Sequence, residues 1–146
     1  MAAALLLPVS CSKENGTTDE PMASGEYEYS GKMIVTAAGT DNVSENIEVD
    51  VILDAKSGKL NIEFEGVKFV PQMPVTLDVT VPGVAYIEKD GRVEFSGDGI
   101  IPLSGGVVPF PNYTVTSLSG TLDKSRISMK LKFGEYPVSY EGIIDK

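Results

Sequence analysis

Val75-Thr76-Leu77-Asp78-Val79-Thr80-Val81 alternates apolar and polar residues without a break, so Val75, Leu77, Val79 and Val81 leave an extended chain on one side and Thr76, Asp78 and Thr80 on the other. A helix would scatter the same four apolar residues around its circumference, because its period is 3.6 rather than 2. The stretch predicts a strand with one core face and one wet face. Ile47 to Asp54 repeats the pattern, with Ile47, Val49, Val51 and Leu53 set against Glu48, Asp50 and Asp54. Arg126 to Phe133 does so again, with Ile127, Met129, Leu131 and Phe133 inward and Ser128, Lys130 and Lys132 outward. Lys56-Ser57-Gly58-Lys59, Lys89-Asp90-Gly91-Arg92 and Asp123-Lys124-Ser125 punctuate these runs with residues that tolerate tight turns. Gly25 to Ala38, Lys59 to Phe69, Val84 to Glu88, Arg92 to Phe95, Tyr113 to Leu122 and Val138 to Ile143 complete the set. The expected fold is all-β: a single antiparallel up-and-down barrel of about 8–10 strands over residues 25–146.

A second pattern supports closure. A large apolar residue, then Ser or Glu, then Gly occurs at Tyr29-Ser30-Gly31, Phe64-Glu65-Gly66, Phe95-Ser96-Gly97, Leu118-Ser119-Gly120 and Tyr140-Glu141-Gly142. Alternation puts the bulky residue and the glycine on the same inward face, where the missing side chain lets a strand coil beside a plug.

The only cysteine, Cys11, closes the run Leu5-Leu6-Leu7-Pro8-Val9-Ser10-Cys11, which resembles the lipobox of bacterial lipoprotein precursors. The resemblance implies that residues 1–10 are a signal peptide, shortened-looking because Met1 to Ser10 carries no Lys or Arg, and that Cys11 is lipidated. Each buried acyl CH₂ contributes about 0.8 kcal/mol, so two or three chains on one thiol hold a domain at a membrane. Residues 11–24 are polar and read as a flexible tether. Lys13-Glu14 resembles the short charged signals that send some Gram-negative lipoproteins to the outer face of the outer membrane, although a solvated linker explains the same letters.

The chain has 146 residues and a formal net charge of −9, from 12 Lys+Arg against 21 Asp+Glu. About 120 residues remain after leader and tether, enough for one core. An acidic body without a basic cluster is a poor partner for nucleic acid and is repelled by anionic headgroups, which leaves a covalent lipid anchor as the expected route to a membrane. With no histidine and one thiol, Ser-His-Asp and Cys-His catalysis and His- or Cys-type metal sites are excluded. No run resembles an oxygen-ligand calcium loop, so no metal site is expected. Glu26/Glu28 and Glu63/Glu65 are paired by alternation, but both lie opposite apolar residues and read as solvated outer faces rather than an acid/base pair. Gly97-Asp98-Gly99 precedes no helix and reads as a turn, so no cofactor is expected.

Barrel regularity breaks between Gly97 and Asn112, where Ile100, Ile101, Leu103, Val107, Val108 and Phe110 are interleaved with prolines and Gly105-Gly106. Such a loop either gates a pocket or contacts a partner at the barrel mouth, or it plugs the core. Val67 to Pro74, with Phe69, is a smaller candidate of the same kind. The inward aromatics Tyr27, Tyr29, Phe64, Phe95, Phe133 and Tyr140 either line a cavity for a small apolar ligand or fill it, in which case the protein is a non-catalytic interaction subunit of an envelope assembly.

The lipobox, the tether, the strand Tyr29-Ser30-Gly31-Lys32-Met33-Ile34-Val35, the stretch Leu60-Asn61-Ile62-Glu63-Phe64 followed by Met73-Pro74-Val75, and Leu118-Ser119-Gly120-Thr121-Leu122 with Tyr140-Glu141-Gly142 together resemble the calycin-like β-barrel domain of Gram-negative lipoproteins. The resemblance implies a small barrel related in shape to lipocalins and avidins, placed at the outer membrane and facing the cell surface or the periplasm, with no established activity. The chain has no Trp, and so lacks the Gly-x-Trp signature of true lipocalins.

Overall fold

The computed structural model describes residues 23–37, 39–67, 77–105 and 107–145. The signal peptide, Cys11 and the tether as far as Met22 lie outside the described residues, as do Val75, Thr76 and the loop candidate around Phe69.

Among the described residues, ten antiparallel strands follow in chain order: β1 (Gly25–Ala37), β2 (Thr40–Asp54), β3 (Lys59–Val67), β4 (Leu77–Lys89), β5 (Arg92–Gly97), β6 (Leu103–Ser104), β7 (Val108–Pro109), β8 (Val115–Leu122), β9 (Arg126–Phe133) and β10 (Tyr136–Ile144). Their spatial order is β3-β2-β1-β10-β9-β8-β5-β4-β6-β7, and a further pairing of β3 with β4 closes the sheet. The wall is thus an eight-stranded up-and-down barrel of β1–β5 and β8–β10. The β6–β7 hairpin pairs with the first half of β4, at Val79 and Thr80, where β5 does not reach.

Two predicted strands are one. Val75 to Val81 and Val84 to Glu88 were expected as two strands, but β4 runs from Leu77 to Lys89 without a break between them. Against β3, Val81 pairs with Ile62 while Val84 pairs with Leu60, so the proline and glycine form a bulge rather than an end. Gly83 takes φ +65°, and its N–H donates to Asn61 Oδ1 at 2.9 Å. Proline has no N–H to leave unpaired, so the bulge closes without an orphan donor. The strand β2 also begins at Thr40, well before Ile47, because its polar first half pairs with the end of β1 from Met33 to Ala37.

Inward residues make one core. On β9 the alternation is complete, with Ile127, Met129, Leu131 and Phe133 buried and Arg126, Ser128, Lys130 and Lys132 exposed. Each large apolar side chain buried this way contributes roughly 1.5–3 kcal/mol. Phe64 meets Phe133 edge-on at 5.5 Å between centroids and Tyr140 edge-on at 6.3 Å. Gly31 and Gly142 sit opposite each other where β1 pairs with β10, and a Cβ on Gly142 would stand 2.7 Å from the Tyr140 hydroxyl. The apolar-x-Gly spacing at residues 140–142 is therefore a tyrosine lying over its own glycine.

The barrel has two unlike ends. The chain enters at Gly25 beside the β2–β3, β4–β5 and β8–β9 turns, tied by Ala55 N–H to Ser24 Oγ at 2.8 Å and Ile144 N–H to the Ser125 carbonyl at 2.8 Å. The opposite end carries the β5–β8 connection and the β9–β10 turn, joined by Gly134 N–H to the Thr114 carbonyl at 2.9 Å.

Candidate functional site

Five of the six inward aromatics come together and are buried: Tyr29, Phe64, Phe133 and Tyr140 have no exposed surface, and Phe95 has 3%. The Tyr29 hydroxyl donates to the Asp123 carbonyl and the Tyr140 hydroxyl to the Ile47 carbonyl, each at 2.7 Å. Burial raises both phenols far above the ordinary tyrosine value, helped by Asp123 and Tyr27 at Tyr29 and by Glu48 and Asp50 at Tyr140. They stay neutral donors. Tyr27 is set apart: it is half-buried at the entry end, with its hydroxyl donating to the Ala23 carbonyl at 2.8 Å. A groove of about 590 Å³ lies on the outer wall instead, where Ala85, Ile87, Glu94, Ser96, Ser119 and Lys130 line it across β4, β5, β8 and β9.

The mouth-loop residues divide into two sets. Ile100 exchanges backbone hydrogen bonds with Val115, at 3.0 and 2.7 Å, and packs against the core. Phe110 is half-buried, its ring 4.6 Å from Tyr113, which stacks on Tyr136 at 6.0 Å. Leu103 is half-buried in β6. Ile101, Val107 and Val108 face solvent at 45%, 77% and 57% exposure. Of the six, Ile100, Leu103 and Phe110 are thus partly covered, while Ile101, Val107 and Val108 face solvent.

Carboxylates gather on the outer wall of β1, β2 and β3. The register sets Glu28 beside Asp50 and Asp50 beside Glu63. Asp50 points outward as its alternation requires, but only 4% of it is exposed, and its Oδ1 is buried with no hydrogen-bond partner. The expectation of a wet outer face fails at this residue because the long side chains of its acidic neighbours crowd over a short one. Ligand atoms of Glu26, Glu28 and Asp50 lie within 4.8 Å of one another, and so do those of Glu48, Asp50 and Glu65. Burial first, then Glu65 and Glu48, push the Asp50 carboxyl up to about 9. Burial, Glu26 and Glu65 also raise Glu63. The paired glutamates Glu26/Glu28 and Glu63/Glu65 therefore belong to one group centred on a residue whose alternation gave no sign of burial. Only the cross-strand register brings them together, and no spacing along the chain encodes it.

A closed, antiparallel, up-and-down barrel with an apolar interior and polar outer wall defines the class of protein. Residues 26–141 match the calycin-like β-barrel domain, and the chain belongs to that family. Among solved structures it is similar to a "putative outer membrane protein" from Bacteroides fragilis, with 18% sequence identity and a TM-score of 0.54. The match covers 82% of this chain and 50% of that one, so this chain spans about half that protein's length, and the likeness is one of fold. A search of curated proteins finds no match.

Proposed function

We propose that this chain is a non-catalytic, lipid-anchored envelope protein whose barrel is a rigid body and whose hairpin end contacts another envelope protein. The observation that carries the reading is the interior: Phe133 and Tyr140 pack edge-on against Phe64, and Tyr29 is buried in the same core, where a ligand-carrying barrel keeps its cavity. The wall supports an anchored rather than a spanning protein. Its interior is apolar and its outer face carries Arg126, Lys130, Lys132 and the acidic group, the reverse of a barrel that turns an apolar band to lipid. Among the described residues, no helix is long and apolar enough to cross a membrane. Acylation of Cys11 would hold the molecule by the Gly25 end and turn Ile101, Val107 and Val108 away from the bilayer. The name of the Bacteroides fragilis neighbour agrees with an outer-membrane location.

The test is mass spectrometry of the protein purified from its native membrane, with photo-cross-linkers placed in cells at Val108 and at Lys124. The expected result is an acylated chain beginning at Cys11, no co-purified small molecule, and protein adducts from Val108 but not Lys124. A stoichiometric apolar ligand would overturn the filled-barrel reading, and an unmodified Cys11 would overturn the anchor.

A further inference from the structure

Asp50 poses a problem that the packing of the described residues does not solve. Only 4% of the residue is exposed, and its buried Oδ1 faces no donor. The neighbouring strands set carboxyl groups around it: Glu26 and Glu28 from β1, Glu48 from its own strand, and Glu63 and Glu65 from β3, while the Tyr140 phenol of β10 also feels its charge. Like charges placed directly across strands are destabilising, and a buried ion without a counterpart is more so.

We propose that Glu48, Asp50 and Glu65 hold a divalent cation of the calcium class on the outer wall of the barrel, with Asp50 as the innermost ligand. Three observations converge. The ligand atoms of the triad lie within 4.8 Å of one another. That is the span of one coordination sphere, because calcium–oxygen distances of about 2.4 Å put opposite ligands at most about 4.8 Å apart. The donors are all carboxylate oxygens, which suit a hard cation and not zinc, whose sites draw on nitrogen and sulfur. The orphaned Oδ1 is the third, since a cation would satisfy it where no N–H or O–H does. Calcium suits the geometry better than magnesium, because ligands drawn from two pleated strands form an irregular shell and magnesium requires a near-ideal octahedron. Glu28 and Glu26 flank Asp50 on its β1 side and add negative charge to the same position.

The inference stands apart from the anchor and from the hairpin end. Its test uses the full chain, stripped of metal by a chelator and titrated with calcium chloride near neutral pH by calorimetry and thermal unfolding. The expected result is one calcium per chain with a dissociation constant below about 1 mM. The unfolding midpoint should rise on the order of 10 °C at a hundredfold excess over that constant. Asp50→Asn and Glu65→Gln should each weaken binding at least tenfold and remove most of the rise, while Glu45→Gln, outside the triad, should keep it. If Asp50→Asn does not fold, Glu65→Gln carries the comparison. The proposal fails if calcium neither binds nor shifts the midpoint, as expected if a proton alone satisfies Asp50. It fails equally if both triad variants respond like the wild type.

Discussion

The strands β2 and β9 stand in one barrel and follow one rule of alternation, yet their outer faces behave differently. On β9 every outward residue from Arg126 to Lys132 is exposed, whereas on β2 the outward Asp50 is buried. Two aspartates sharpen the contrast. Asp123, beside the start of β9, accepts hydrogen bonds from the Ser125 hydroxyl at 2.7 Å, the Ser125 N–H at 2.8 Å and the Arg126 N–H at 3.0 Å. Burial alone would raise its carboxyl, but these donors and Arg92 prevail and hold it below the ordinary value. At Asp50 burial comes first, and the side chains of Glu65 and Glu48 act in the same direction through hydrogen bonds and charge, so its carboxyl is displaced upward. Alternation decides which way a side chain points; the neighbours across the strands decide whether that direction is wet.

The largest expected effect tests whether the inner faces are as alike as the outer faces are different. Phe64→Ala on β3 and Phe133→Ala on β9 should each lower the unfolding free energy by about 3–5 kcal/mol in chemical denaturation. A much smaller cost on either side would break the view of one shared core.

Next in size is Asp50→Asn, which in the presence of a chelator should raise stability by about 1–3 kcal/mol near pH 8. The sign follows from where the proton sits. Between the ordinary value of 3.8 and about 9, folded Asp50 keeps a proton that the unfolded chain has released. This group's contribution is therefore intact below about pH 4 and is lost as pH rises toward about 9. The advantage of Asn should accordingly shrink toward pH 4, which urea melts across that range would read. Asp123→Ala should act in the opposite direction, lowering stability by about 1 kcal/mol at neutral pH through loss of its turn hydrogen bonds. The smallest effect is Lys130→Gln, expected within about 0.5 kcal/mol of wild type in the same melts. A larger change there would mean that the β9 face also depends on its charges.

The fold was legible because burial on one face imposes a two-residue period, and because Lys56-Ser57-Gly58, Asp90-Gly91 and Asp123-Lys124-Ser125 form the turns their residue types favour. The division of β4 into two strands fails for a physical reason: Pro82-Gly83, which lies between them, makes a bulge rather than an end because the Asn61 side chain receives the Gly83 N–H. The β6–β7 hairpin was read as a break because Pro102, Pro109 and Pro111 argue against a central strand, and two-residue strands at the rim do not need to be central. The acidic group was legible only as the separate pairs Glu26/Glu28 and Glu63/Glu65, not as a cluster around Asp50. Glu28, Asp50 and Glu63 become neighbours only through the pairing of three strands, and pairing register is a property of the closed sheet.

The seam between β1 and β10, where Tyr29 pairs with Ile144, joins the first strand of the barrel to the last. During synthesis, a chain that has not yet released β10 carries two raw edges, on β1 and β9, and has no closed core to protect them. Closure must then wait until β10 has been synthesised, so the nascent barrel stays open, loose enough to be threaded or degraded, until Tyr136–Ile144 can pair. Loss of residues 136–144 should therefore release an open, edge-exposed sheet prone to association rather than a smaller barrel.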